Sequence, residues 1–348
     1  MRTGHMKTSP GQFVALSDSP VAWAWAIAGL GSLALLPFAL SAYGLTLVVS
    51  AFVAVMGAVA LNMLTGQTGL ISLGQSGFLA VGAYTNAILL SDYGLPAWLT
   101  LPAAGVVTAL VSLVVGVPSL RLKGLYLAIT TLAFSFIINH IILYVEPLTH
   151  GPNGIFVKGA TLFGLDLQRG LPLYYLAFGL TLVTVLAGLN LTRTRVGRAW
   201  IAIRDHDIAA RAMGIDLVRF KLLAFATSSF FVGLAGALLS LQLRFINVDV
   251  FGMILSIEAL AMIILGGLGS VAGAVLGAVF LSFLPEMLRL FFGLVSDPQS
   301  TFYTTYVFEI RGIAYGVVIV IFLRFKPAGL IGMWRDIRKY WSNWPLAY

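Results

Sequence analysis

The chain has 348 residues, of which 59% are hydrophobic and only 10% charged, against roughly 45–50% and about 25% in soluble domains. So few charged side chains cannot cover a soluble surface of this size, and about ten apolar spans of about 20 residues each account for the composition. Cysteine is absent, which excludes disulfides and thiolate metal sites, and the four histidines at positions 5, 140, 150 and 206 have no second histidine at metal-ligand spacing.

In chain order, residues 1–20 form a polar tail with Arg2, Lys7, Pro10 and Pro20. Apolar runs at 21–43 and 45–64 predict two spans. The first is too long, and its flank too poorly charged, for a cleaved signal peptide. The polar, glycine-rich stretch 65–77 leads into a short third span at 78–90, and 96–117 forms the fourth, closed by Pro118, Arg121 and Lys123. Residues 124–145 form the fifth. The segment 146–170 carries a turn signal, Gly151-Pro152-Asn153-Gly154, before a sixth span at 171–191.

Residues 192–221 form the longest charged segment, with seven basic residues and three aspartates. The seventh span covers 222–243. Runs at 254–267 and 271–292 form a broken pair around Gly266-Gly267-Leu268-Gly269-Ser270, and a tenth span covers 306–323. The reading is an all-α polytopic membrane protein of ten helices with glycine-rich breaks, eight being the alternative count. Its domains are a tail at 1–20, a membrane domain at 21–324 and a second tail at 325–348.

With ten spans, both tails and the 118–123 and 192–221 loops share one side. That side holds 16 of the 21 basic and five of the 13 acidic residues, a balance of +11 against −3 elsewhere. Basic loops mark the cytoplasmic side, which places both termini inside and removes the need for a nucleic-acid partner. Trp23, Trp25, Trp98 and Trp200 near span edges, with Trp341 and Trp344 in the tail, fit interfacial belts.

Within the 192–221 loop, residues 204–215 read as a short amphipathic helix. Asp207 and Arg211 stand at the favourable i,i+4 spacing. Ile208, Ala212 and Ile215 recur on an apolar face, and Gly214 supplies a stop. Such an element is suited to a groove on a soluble partner; a stop-transfer loop that only satisfies the charge rule is the alternative.

This segment, Ala202-Ile203-Arg204 through Gly214-Ile215 and on to Phe225, resembles the coupling region of ATP-binding-cassette importer permeases of the branched-chain amino acid, LivM type. Other stretches that carry the resemblance are Gly66-Gln67-Thr68-Gly69, Ser72-Leu73-Gly74-Gln75, Gly124-Leu125-Tyr126-Leu127-Ala128-Ile129, Gly151-Pro152-Asn153-Gly154 and Leu265-Gly266-Gly267-Leu268-Gly269-Ser270. Together they span roughly residues 50 to 330. Asp207 departs from the pattern, standing where a longer Glu is expected.

The resemblance implies a type II importer permease in the bacterial inner membrane. Its partners would be a second, LivH-like permease subunit, two cytoplasmic ATPase subunits, an extracytoplasmic binding protein and membrane lipid. Arg204, Asp205, Asp207, Ile208, Ala209, Ala210, Arg211, Met213, Gly214 and Ile215 would engage the ATPases. The chain itself has no G-x-x-x-x-G-K-[ST] loop. It is therefore expected to be no enzyme and to hold no cofactor, with ATP on the partner subunits.

Candidate pathway residues are Gln67, Thr68, Ser72, Gln75 and Ser76 in the first glycine-rich stretch, with Asn139 and Glu258. Broken helices at membrane depth commonly line transport sites, although 65–77 also fits a tight turn beside a small-residue helix interface built on Gly74, Gly77, Ala80 and Ala83. Glu258, an ionisable group in an apolar run, is a pathway candidate, or a hydrated residue paired with Arg244. Asn62, Asn86, Asn139 and His140 also fit packing. Import of urea or small amides is a second substrate reading. An ion-coupled secondary transporter is a third, disfavoured because no Asp lies in mid-span. A membrane enzyme has no supporting residue set.

Overall fold

The computed structural model describes residues 20–119, 122, 124–162, 165–167, 170–295, 312–313, 315–317, 319–322, 324–325 and 328–343. The first tail, all but residue 20, and part of the expected tenth span lie outside the described residues. Helix α1 (Pro20–Leu35) ends in a 3-10 turn at Leu36–Phe38, with Pro37 inside it. Helix α2 (Ala42–Leu61) is capped by the Ser41 hydroxyl, which accepts from the Gly44 amide at 3.3 Å, and runs on into a π turn at Asn62–Gly66. Residues 69–74 are non-helical, and α3 (Gln75–Ser91) follows.

Helices α4 (Ala97–Ser119), α5 (Leu125–Tyr144) and α6 (Gly170–Arg193) come next. The basic loop folds as α7 (Arg195–Asp205) and α8 (Asp207–Ala212), and leads into α9 (Leu217–Leu243). Helices α10 (Met253–Gly266) and α11 (Val271–Val295) flank the second glycine cluster, and α12 (Gly329–Asn343) closes the described chain. Helices satisfy their backbone groups internally, the condition for crossing hydrocarbon. Among the described residues, distant segments also pair as a two-residue antiparallel ladder, Ile155 opposite Ile246 and Phe156 opposite Phe245, extended by the Val157 amide donating to the Arg244 carbonyl at 2.7 Å.

Among the described residues, seven helices rather than ten are long and apolar enough to cross a membrane. Helix α1 is short, and the tenth expected span is only partly described. Helix α3 has 17 residues, about 26 Å at 1.5 Å per residue against a hydrocarbon core of about 30 Å. It is short because it starts inside the bundle. Gln75 at its first position donates to the carbonyl of Gly57 at 3.1 Å. Gly57 lies nine residues before the end of the α2 π turn, about 13 Å along the helix axis.

The core is organised by α9, which packs against α4, α3 and α2 and has 67% of its span buried. Close approach depends on missing side chains: a Cβ added at Gly82 of α3 would overlap the backbone of Gly233 in α9. This small-residue contact is the usual way for membrane helices to gain dispersion contacts where lipid offers no hydrophobic contrast. Asn86, read in the sequence as packing, is one. Its Nδ2 donates to Ser240 Oγ at 2.8 Å, and Thr100 Oγ1 donates to its Oδ1 at 2.7 Å, tying α3, α9 and α4 together.

The connections gather at two ends. Gly66, Gly69, Arg204, Gly269 and the start of α12 meet at one end, the basic end. Ser91, Asp92, His150, residues 155–158 and residues 245–246 meet at the other. Trp200 does not sit in an interfacial belt as its sequence position suggests. It is fully buried, its indole donating to the Phe220 carbonyl at 2.9 Å, whereas Trp25 and Trp98 are exposed.

Candidate functional site

Within the first glycine-rich stretch, residues 69–74 are non-helical backbone leading to the mid-bundle start of α3 rather than a tight turn. Such backbone needs protein partners in place of water, and it has them. Thr65 Oγ1 donates to the Leu70 carbonyl at 3.1 Å, the Leu73 amide donates to Thr131 Oγ1 at 2.9 Å, and the Gly74 amide donates to Ser72 Oγ at 3.2 Å. At the start of α3 the Ser76 amide donates to Ser256 Oγ at 2.9 Å, and the Ser256 hydroxyl donates on to Ser76 Oγ at 3.0 Å. Small-residue packing coexists with this, since a Cβ on Gly77 would meet Ser135 Cα at 2.8 Å.

The mid-bundle start of α3 borders a cavity of about 260 Å³ between α2, α3, α9, α10 and α11. Its walls are mostly aliphatic, with Ser50, Gln75, Glu258, Ser282 and Tyr315 as the polar groups. Glu258 is 8% exposed. A pocket of this kind, apolar with a few convergent polar groups, suits a small amphiphilic solute. Of the seven sequence candidates, Gln75 and Glu258 face this cavity, and Ser76 is bonded beside it through Ser256.

The others lie elsewhere. Thr68 is at the basic end, its hydroxyl donating to the Leu64 carbonyl. Gln67 is 1% exposed, and neither end of its amide has a hydrogen-bond partner among the described residues. Ser72 is consumed by the unwound backbone. Asn139 donates to the Phe251 carbonyl at 3.1 Å, towards the end away from the basic loop. His140 is exposed and stacks on Tyr144 with centroids 4.3 Å apart.

Segment 204–215 is not one helix. It breaks at His206, whose backbone is extended (φ −161°, ψ 101°), between α7 and α8. Helix α7 is anchored at its start by Thr194, whose hydroxyl accepts from the Gly197 amide at 3.3 Å, and in its middle by the buried Trp200. Helix α8 ends as expected at Gly214. Its φ of +85° lets the Ile215 amide reach the Ala210 carbonyl at 3.1 Å and its own amide reach Arg211 O at 3.0 Å, a Schellman closure. The expected apolar face is not folded inward. Ile208 is 71% and Met213 85% exposed, and Ala209, Arg211 and Ala212 are also exposed. Ala210 is the one buried residue of α8, Asp207 and Ile215 are half-buried, and Asp205 is exposed.

Arg204 is the connecting residue, a role its sequence does not announce. Its Nη1 donates to the Gly66 carbonyl at 2.8 Å, while Nε and Nη2 each lie 3.2 Å from Asp205 Oδ1. Gly66 also meets the second break, since the Gly269 amide donates to Asn62 Oδ1 at 2.8 Å, and a Cβ on Gly269 would lie 2.7 Å from Arg204 Nη1. The end of α7, the π turn of α2 and the α10–α11 break thus meet at one point. π turns inserted into α-helices frequently mark functional positions. Beside this point lies a second cavity, of about 290 Å³, lined by Thr68, Gly69, Arg204, Asp205, Asp207 and Lys221 among others.

A bundle of apolar helices, interrupted by non-helical backbone beside a mostly aliphatic cavity with a few polar groups, with a surface helix pair bonded into the breaks, defines a polytopic membrane permease. The family model described as "Branched-chain amino acid transport system / permease component" matches residues 43–323, and the chain belongs to this family. It is 33% identical over 331 residues to the high-affinity branched-chain amino acid transport system permease protein LivM of Salmonella typhimurium strain LT2, covering 88% of this chain and 74% of the relative. LivM of Escherichia coli strain K12 is 35% identical over 303 residues, 80% and 68% of the two chains. A probable branched-chain amino acid permease LivH of Methanocaldococcus jannaschii is 26% identical over 307 residues, 83% and 92%. No solved structure matches the chain.

Proposed function

We propose that this chain is the permease subunit of an ATP-driven importer for branched-chain amino acids, forming one half of the translocation pathway in the bacterial inner membrane. Its partners in this reading are a second, LivH-like permease, two cytoplasmic ATPase subunits that bind the ATP, and an extracytoplasmic binding protein. The basic end is the cytoplasmic one, with both termini on that side, as the charge asymmetry supports. The named relatives support the solute class.

The observation that carries the coupling half of the reading is the Arg204 junction. Helix α8 presents Ile208 and Met213 to the outside, where an ATPase groove would receive them. Behind it, α7 is held by Trp200 and bonded through Arg204 to Gly66 and thus to both glycine breaks. A displacement of α8 by the ATPases therefore reaches α2 and the α10–α11 pair across the single extended residue His206 and through the Arg204 bonds. Differential contact of the ATPases with two arrangements of this junction is what an alternating-access cycle requires.

The test is an Ile208→Glu, Met213→Glu double variant expressed with the partner subunits. Both side chains are exposed, so the chain is expected to reach the membrane normally, while ATPase subunits no longer co-purify and leucine uptake is lost. Retained ATPase association with normal uptake would overturn the coupling assignment. Uptake driven by an ion gradient in vesicles holding this chain without ATPase subunits would overturn the importer reading itself.

A further inference from the structure

Helix α12 has a two-sided sequence that the transport reading does not use. Leu330, Met333, Trp334 and Ile337 recur at the i, i+3, i+4, i+7 spacing of one helical face. Trp334 is 61% and Ile337 50% exposed, so the outer part of this face is not spent on the bundle, while Leu330 and Met333 are half-buried. Arg335, also exposed, stands about 100° round the helix from Trp334, and the segment continues with Arg338 and Lys339 in the sequence. Fifteen residues give about 22 Å, too short to span about 30 Å of hydrocarbon.

The base of this helix is fixed against the second glycine break. A Cβ on Gly329 would lie 2.6 Å from the Gly267 amide nitrogen and 2.7 Å from the Leu265 carbonyl oxygen. Gly267, with φ +117°, would in turn drive a Cβ to 2.6 Å from Ile331 Cγ2 and 2.9 Å from the Ala328 carbonyl. Helix α12 therefore starts at the level of Gly66, Arg204 and Gly269, where the basic loop leaves the bundle.

We propose that α12 is an interfacial strap that binds anionic phospholipid. Its Leu330–Trp334–Ile337 edge lies among the upper acyl methylenes, with Trp334 at the headgroup level that indoles favour, and Arg335 reaches lipid phosphate. An exposed apolar edge opposite a cationic one, on a helix too short to cross, is the pattern of helices that lie in the interface plane. Basic residues there are attracted to an anionic leaflet. Because residues 328–331 are wedged into the α10–α11 break, seating the strap on lipid also holds the register of that break.

The chain has no cysteine, so Ile337→Cys and Arg335→Cys each offer a single thiol for an environment-sensitive fluorophore. The whole importer is reconstituted in phosphatidylcholine vesicles with and without about a quarter phosphatidylglycerol. The label at 337 is expected to be quenched by lipids brominated high on the acyl chain and the label at 335 by aqueous iodide. Removing the anionic lipid is expected to lower the lipid quenching at 337 by about twofold or more, and Arg335→Glu to do the same in mixed vesicles. Hydrogen exchange of residues 329–337 in the unlabelled importer provides a control free of substitutions, with protection expected to rise with anionic lipid. Equal iodide quenching at both positions would overturn the proposal. So would shielding of 337 from both quenchers, which would mean that a protein subunit covers it, or exchange and quenching that ignore lipid charge.

Discussion

At the residue scale the account turns on Arg204 and Glu258. Arg204 donates to the Gly66 carbonyl while lying against Gly269 and Asp205, an arrangement that uses the planar fork of a guanidinium and that a lysine ammonium cannot reproduce. Arg204→Lys is therefore expected to lower uptake nearly as far as Arg204→Ala, about tenfold to a hundredfold if one charge-assisted hydrogen bond of about 1.5–3 kcal/mol is lost from the working states. Initial-rate leucine uptake at matched protein levels checks this. Full activity of the lysine variant would reduce Arg204 to a point charge. Glu258 belongs to the cavity, not to the junction. Glu258→Gln keeps the shape and replaces the carboxyl by an amide, so uptake is expected to fall while ATPase subunits still co-purify. Loss of the complex instead would assign Glu258 to folding.

At the scale of elements the distinguishing feature is the segment 69–74, non-helical backbone held in the bundle by hydroxyl groups. Thr131→Val removes the acceptor of the Leu73 amide with little change in shape, and an unmet buried amide costs about 1–3 kcal/mol. A lowered midpoint of thermal unfolding in a fixed detergent is the expected readout. Gly82→Val, which forces a side chain into Gly233, is expected to cost a similar or larger amount, since overpacking runs to about 1–3 kcal/mol and occasionally more.

The sequence made the apolar spans legible because hydropathy is a local property. It made the glycine clusters legible as interruptions, since polar small residues between apolar runs have few other readings. It did not distinguish a tight turn from an unwound segment at depth, because that difference lies in partners at Thr131, Gly57 and Ser256, far away in the chain. For the same reason Gln67, Thr68, Ser72 and Asn139 look like Gln75 and Glu258 on paper, yet only the latter two face the cavity. Arg204 read as one of seven basic residues in its loop and, through the resemblance, as an ATPase contact. Its tie to Gly66 spans 138 residues and leaves no local signal. The π turn at Asn62–Gly66 was the nearest clue, and it is invisible to periodicity.

At the scale of the molecule, the proposed coupling task falls at the basic end of the bundle and the proposed pathway task in its middle. The cavity with Gln75 and Glu258 lies about 13 Å from the junction along α2, and α2 and α10 connect them as rigid rods. The central claim is that motion of α8 reaches the cavity through the Arg204 junction and not through the loop backbone alone. The measurement that tests it most directly is the ratio of leucine transported to ATP hydrolysed, in vesicles holding the complete importer with Arg204 or with Arg204→Ala. The account predicts that the variant still assembles and hydrolyses ATP but transports several-fold less leucine per ATP, because the ATPases then turn over without moving the breaks. An unchanged ratio, whether both rates persist or both fall in proportion, would contradict it.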